Sequence, residues 1–151
     1  MYKPIAVTRI ISVLWFMWSL PHIIPGIMMM QNALSGDISS IQFLFPETDS
    51  SALKRDYPLE VDAILVTFGQ HGFNLFWFGI VALISAVWIW VWQSRAAIIL
   101  ASVVIGFADV GALFATFMIG RIDIFGILIF TGTLLGIILS VSHLKKTVQK
   151  R

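Results

Sequence analysis

Long apolar stretches, separated by shorter polar segments, dominate the chain. Four of these stretches reach about the 20 residues that a helix needs to cross the hydrocarbon core of a bilayer. The pattern predicts an all-α membrane protein, in which an antiparallel bundle of four transmembrane helices forms a single domain over residues 1–151. The predicted spans cover residues 5–30, 64–92, 96–120 and 124–144.

The connections between these spans differ greatly in length. Residues 93–95 and 121–123 leave room for little more than a turn, so the spans that they join should be antiparallel neighbours. The one long connection, residues 31–57, carries much of the acidic character of the chain. Within it, Ile41–Pro46 is an apolar patch that predicts a short strand or a segment resting on the head groups. Residues 48–55 predict a short helix capped by Thr48 or Asp49.

The second predicted helix has a recognisable start. Pro58 is favourable at a first helical position, because its missing N–H group would be unpaired there in any case. Glu60 and Asp62 follow near the first turn, where the helix dipole favours negative charge. We therefore expect one helix from Pro58 to Trp92, with its first turns outside the lipid.

Lysine and arginine are unevenly distributed between the two sides of the predicted membrane. The side that carries both termini holds seven of them, whereas the opposite side holds three, Lys54, Arg55 and Arg121. By the positive-inside rule, both termini should be cytoplasmic and the long loop outside, with multi-pass insertion into a bacterial inner (plasma) membrane. The seven are Lys3, Arg9, Arg95, Lys145, Lys146, Lys150 and Arg151.

Composition excludes several classes of protein. Hydrophobic residues make up 58% of the chain and charged residues 12%, about half the share in a soluble domain, and the mean hydropathy is +0.91. The net charge is only +2, and the basic residues form no cluster outside the C-terminus, so we expect no nucleic-acid partner. The absence of cysteine excludes disulfides and thiol nucleophiles. Ala33 and Ser35 resemble a signal-peptide cleavage pair, but the preceding apolar run is too long, which favours a retained span.

Small and polar side chains recur at helical spacing along one side of each span. In lipid, such residues favour helix–helix contact, so we expect these stripes to face the bundle interior and the opposite apolar faces to meet lipid. The stripes comprise Ser12, Trp15, Ser19, His22 and Gly26; Gln70, His71, Asn74, Phe78 and Ser85; Ser102, Gly106, Asp109, Ala112, Thr116 and Gly120; and Thr133, Gly136, Ser140 and His143.

Four polar residues within these stripes are candidates for a ligand-binding pocket: His22, His71, Asn74 and Asp109. All four are predicted in the outer half of the membrane. A charge near mid-membrane costs at least about 2.5–3.5 kcal/mol, so Asp109 must be paired, hydrated or protonated. Two interpretations are open: a polar pocket that opens outward, or a structural histidine–aspartate hydrogen bond that fixes helix register.

The prolines on either side of His22, Pro21 and Pro25, each remove a backbone donor, and the freed carbonyl groups favour the pocket interpretation. The functional hypothesis is then binding or transport of a hydrophobic small molecule or lipid. The alternatives are a structural or assembly subunit of a membrane complex, docking through the outside loop or forming a homo-oligomer, and an intramembrane acid–base enzyme with a histidine–aspartate pair.

Other chemistry has weaker support in the sequence. His22 and His71 would ligate a haem only if they lay at similar depth, and no other cofactor or metal site is expected. Motifs for a zinc protease, a serine nucleophile or a phosphate loop are absent, so we do not expect an enzyme. No motif identifies a known family.

Overall fold

The computed structural model describes residues 4–38, 49–118 and 124–148, and every regular element within these ranges is helical. The predicted all-α class is confirmed. The apolar patch at 41–46, Thr48 and the tight connection at 121–123 lie outside the described residues. In chain order the elements are α1 (Pro4–Ser35), α2 (Ser50–Asp56), α3 (Pro58–Trp92), α4 (Arg95–Ile99), a π-helical segment (Leu100–Ile105), α5 (Gly106–Met118) and α6 (Ile124–Val148).

Three helical stretches in the described residues are long and apolar enough to cross a membrane: Ile5–Ser35, Pro58–Trp92 and Gly126–Thr147. They indicate an integral membrane protein. The third predicted span, residues 96–120, differs from the prediction because its backbone is not one α-helix. It consists of α4, the π-helical segment and α5 in succession, and none of these is long enough alone to count as a span.

A side-chain hydrogen bond lies inside the π-helical segment. The Ser102 hydroxyl donates to the Ile98 carbonyl, four residues back, at 2.6 Å. At the end of the segment the Gly106 amide donates to the Ala101 carbonyl, five residues back, as the wider π turn requires.

Helix ends follow local signals. α3 begins at Pro58 and ends at Trp92, as predicted. α1 continues past the predicted end of its span to Ser35, with Pro21 and Pro25 inside it. It ends at Gly36, whose φ of +69° is a left-handed conformation that favours glycine. There the Gly36 amide donates to Ala33 and the Asp37 amide to Asn32, a pair of bonds that closes the last turn.

The short helix α2 confirms the predicted cap at Asp49. The Asp49 carboxylate accepts hydrogen bonds from the amides of Ser51 and Ala52 at 3.0 and 3.1 Å. Hydrogen bonds from the Ser51 hydroxyl and the Ala52 amide also hold the pKa of Asp49 below its usual value. A small apolar cluster lies beside α2, with Leu53 packed against a buried core of three residues. These are Ile38, Val61 and Leu65.

The chain divides into two compact units. The first unit comprises Met1–Leu20 and Gly79–Arg151, and the second comprises Pro21–Phe78. In the first unit, the Arg9 guanidinium lies 5.1 Å from the ring centroid of Trp90, a cation–π distance. Trp88 and Trp92, on either side of Trp90 in sequence, pack edge to face with 6.4 Å between their ring centroids. Exposed tryptophans beside an arginine are typical of a membrane–water interface.

Large apolar side chains cover much of the exposed surface of both units. Met17, Val66 and Phe107 are each exposed by 60% or more. Soluble proteins rarely expose large contiguous apolar patches to water, whereas apolar side chains lose no free energy by contact with lipid. The exposed apolar faces agree with the prediction that these faces meet lipid.

Candidate functional site

The side chain of Trp15 is the largest in the buried core of the first unit, where it is 1% exposed. Two glycines make room for its ring. A Cβ atom on Gly136 of α6 would lie 3.2 Å from Cζ2 of Trp15, and one on Gly106 of α5 would lie 3.4 Å from Cη2. The indole therefore reaches from α1 to both α5 and α6.

Three buried polar atoms of the first unit have no hydrogen-bond partner among the described residues: Trp15 Nε1, Ser85 Oγ and Ser140 Oγ. Each belongs to a side chain that is at most 1% exposed. Trp15 Nε1 is bonded to Cε2, the ring atom that a Cβ on Gly136 would meet at 3.4 Å, and Ser140 follows Gly136 by one helical turn. The unpaired groups therefore lie on faces of α1, α3 and α6 that are closed to solvent.

Neighbouring hydroxyls in the same unit are paired. Ser12 donates to the Ala86 carbonyl at 2.7 Å and so joins α1 to α3 one residue from Ser85. Ser19 donates to the Phe16 carbonyl at 2.6 Å. Most buried polar groups in proteins find such partners, so the three unpaired atoms are exceptions.

Asp109, half-buried, is an acidic group of this unit. The Trp18 indole N–H donates to Oδ2 of Asp109 at 3.1 Å, and the Thr133 hydroxyl contacts the same oxygen. Trp18 also stacks edge to face with Trp15, at 6.1 Å between ring centroids. Asp109 thus joins α5 to both α1 and α6, which are separated from it by long stretches of sequence.

The hydrogen bonds around Asp109 permit two protonation states of its carboxyl group. The Thr133 hydroxyl has one proton but two contacts, Asp109 Oδ2 and the Ile129 carbonyl oxygen at 3.1 Å, which can only accept. If the hydroxyl donates to Asp109, the carboxylate accepts bonds from both Thr133 and Trp18. If it donates to Ile129, Asp109 itself carries the proton that joins it to Thr133. The arrangement can therefore hold or release a proton at Asp109 without moving a helix.

The four predicted pocket residues are distributed over both units. Asp109, half-buried, belongs to the first unit, whereas His22, His71 and Asn74 belong to the second. His22 is 7% exposed and lies within electrostatic range of His71, whose side chain is exposed, as is that of Asn74. Within the part of the chain that the structure describes, no group of three or more His, Asp or Glu side chains is placed to hold a metal ion.

The predicted interior stripes are largely confirmed on α1 and α6. All stripe residues of α1 and α6 are buried, as are Ser102 and Gly106 before and at the start of α5. On α3 the prediction is wrong for Gln70, His71 and Asn74, which are exposed. It is confirmed for Ser85, which is buried. The other residues that α3 buries are mostly small, because small side chains let helix backbones approach closely. They include Gly72, Gly79, Ala82 and Ala86.

Trp18 is the partner of Asp109 that the sequence reasoning missed. Its signal was present, since Trp18 lies one turn before His22 and one turn after Trp15, on the predicted interior face of α1. The predicted stripe omitted it because a tryptophan is neither small nor strongly polar.

No known protein family, no curated protein and no solved structure matches the chain.

Proposed function

We propose that this protein is a multi-pass membrane protein that binds a small hydrophobic molecule or lipid inside the first unit. The observation that carries the proposal is the set of three buried, unpaired polar atoms, Trp15 Nε1, Ser85 Oγ and Ser140 Oγ. Each such atom costs about 1–3 kcal/mol if nothing meets it. A ligand that supplies the missing hydrogen bonds would recover that free energy.

The hydrogen-bonding chemistry of each unpaired atom limits what it can bind. The Trp15 indole N–H is only a donor, so it requires an acceptor, while the two serine hydroxyls can either donate or accept. A carbonyl, ester or ether oxygen on an otherwise apolar molecule has the required character. Asp109, held by Trp18 and Thr133, supplies a second polar group in the same unit.

The proposal rests on the first unit alone. The roles of His22, His71 and Asn74 in a pocket stay predictions, as does a haem held by the two histidines. So do the alternative functions, a structural or assembly subunit of a membrane complex and an acid–base enzyme.

Native mass spectrometry of the protein purified in mild detergent tests this proposal. We expect the wild-type protein to carry a small molecule of constant mass. Ser140→Ala and Trp15→Phe should each lower the retained fraction by about two- to ten-fold, the value of one hydrogen bond. The matched control is Ser142→Ala, because Ser142 lies on the same helix but is exposed.

Two outcomes contradict the proposal. One is a wild-type protein without any bound molecule, together with a Ser140→Ala variant of higher thermal stability, since the mutation would then only remove an unpaired hydroxyl. The other is an equal loss of ligand in Ser140→Ala and Ser142→Ala.

For the arrangement in the membrane, we propose four crossings, with the helical stretch from Arg95 to Met118 as the third and both termini in the cytoplasm of a bacterial cell. The distribution of lysine and arginine, seven against three, supports this orientation. Alkaline phosphatase fused after Asp37 should be active, and fusions after Gln93 and Lys146 should be inactive. Activity after Lys146 would mean an odd number of crossings.

A further inference from the structure

A groove of about 560 Å³ lies within the second unit, between the end of α1 and the beginning of α3. Its walls are mainly apolar and include Met30 and Ala33 from α1 and Leu65, Val66 and Gly69 from α3. Its volume falls in the range of about 300–1,000 Å³ that is typical of sites for small molecules.

The groove lies at the level where α3 leaves the hydrocarbon. α3 has 35 residues and is therefore about 52 Å long, against about 30 Å of hydrocarbon thickness. The predicted span in α3 begins at residue 64, so Asp62 lies at head-group level, whereas Leu65, Val66 and Gly69 lie at the edge of the hydrocarbon.

A carboxylate lines the groove, and an ammonium group contacts one of its lining residues. Asp62 lines the groove and is exposed. On the α1 side, Gly36 also lines it, and the Gly36 carbonyl accepts a hydrogen bond from Lys54 Nζ at 3.2 Å. That bond uses one of the three protons of the ammonium group and leaves donors for another acceptor.

The bond is a consequence of how α1 ends. The left-handed turn at Gly36 closes the last turn of α1, and the apolar cluster of Val61, Leu65 and Leu53 holds α2 beside α3. Lys54 thereby contacts the α1 side of the groove through Gly36, while Asp62 lines the groove on α3.

From this arrangement we propose that the groove binds a zwitterionic phospholipid with a primary ammonium head group, of the phosphatidylethanolamine type. The lipid ammonium lies against Asp62, its phosphate lies against Lys54, and one acyl chain follows Leu65, Val66 and Gly69 toward the hydrocarbon. Charge complementarity favours this lipid over an anionic one, which would place no cation at Asp62. A trimethylated head group keeps its charge but has no N–H to donate to the carboxylate.

This inference does not depend on the ligand proposed for the first unit. A variant of the groove should leave retention of the interior ligand unchanged, and Ser140→Ala should leave the groove lipid unchanged. Failure of one proposal is therefore distinguishable from failure of the other.

The test is native mass spectrometry of the detergent-purified protein with added phosphatidylethanolamine, phosphatidylcholine or phosphatidylglycerol of identical acyl chains. Phosphatidylethanolamine should be retained most. Asp62→Asn should lower its retention roughly three- to five-fold, as expected for a partly exposed ion pair, and remove its advantage over phosphatidylglycerol. Glu60→Gln is the matched control, with the same loss of charge on the same helix but outside the groove.

A second pair of variants tests the acyl-chain position. Val66→Trp should fill the groove and lower retention of all three lipids, whereas Thr67→Trp, on the adjacent exposed position outside the groove, should not. Equal retention of phosphatidylethanolamine in Asp62→Asn and Glu60→Gln overturns the proposal. So does a preference for phosphatidylglycerol that depends on Lys54 alone, or retention of all three lipids without preference.

Discussion

Gly26→Ala is expected to lower the free energy of unfolding by about 2–3 kcal/mol or more, although alanine is the better helix former. A Cβ atom on Gly26 would lie 2.6 Å from the Phe76 amide nitrogen and 2.7 Å from the Gly72 carbonyl oxygen. Both are backbone atoms of α3, so no change of rotamer relieves the clash, and α1 and α3 would have to separate within the second unit. Unfolding in mixed detergent micelles, followed by circular dichroism, measures the effect.

Gly132→Ala on α6 is the control for this substitution, because a Cβ there would meet nothing within 4 Å. We expect it to be neutral or to stabilise the protein by up to about 1 kcal/mol. Gly72→Ala provides the reciprocal test, since its Cβ would lie 2.7 Å from Cβ of Met29 and 2.8 Å from the Gly26 carbonyl oxygen. If Gly26→Ala and Gly132→Ala had the same stability, the close crossing of α1 and α3 at these residues would be contradicted.

The same crossing explains why the buried face of α3 was not predicted from the sequence. The prediction selected Gln70, His71 and Asn74 for their polarity, but α3 buries the face that carries Gly72. Two helices in lipid gain no hydrophobic free energy from contact, so the closest backbone approach decides which face is buried. On α1 and α6 small and polar residues share one face, and there the prediction was right.

The ends of the helices were predictable where a side chain marks them. Pro58 and Asp49 begin their helices for reasons that lie within one turn of sequence. The helix α1 continues beyond the predicted span 5–30, because that prediction followed hydropathy, which falls after Met30. The backbone continues to Ser35 and stops at Gly36, where the left-handed conformation becomes available.

In the third predicted span, regular helical spacing does not predict which way the side chains point. The π-helical segment Leu100–Ile105 precedes Asp109 by less than two turns of helix. Each residue added to a turn rotates the following side chains by about 100° around the helix axis. Depth along the span therefore identified Asp109 as an intramembrane carboxyl group, but the direction of its side chain, and hence its contact with Trp18, did not follow from spacing.

Thr133→Val is expected to lower the free energy of unfolding by about 0.6–2 kcal/mol, the range for a hydrogen bond between helices in a membrane. Thr133 is 1% exposed and contacts Asp109, and valine keeps its shape while removing the hydroxyl. Thr131→Val on the same helix is a matched control. Thr131 is exposed and donates to the carbonyl four residues back, as Thr133 does, but it has no described contact with Asp109. The difference between the two variants isolates the bond to Asp109.

A double-mutant cycle then determines whether Asp109 and Thr133 act as one unit. In the cycle of Asp109→Asn with Thr133→Val, residues in direct hydrogen-bonded contact should show a coupling free energy of about 0.5–3 kcal/mol. In the protonated state, one oxygen of Asp109 accepts from Trp18 and also donates to Thr133. No single atom of asparagine can do both, because the amide oxygen only accepts and the amide nitrogen only donates. An infrared band of a protonated carboxyl group that Asp109→Asn removes and Thr133→Val shifts would identify the protonated state. Strictly additive free energies in the cycle would show that the carboxyl group and the hydroxyl do not share a proton, and the bond from the Trp18 indole would then hold Asp109 without help from Thr133.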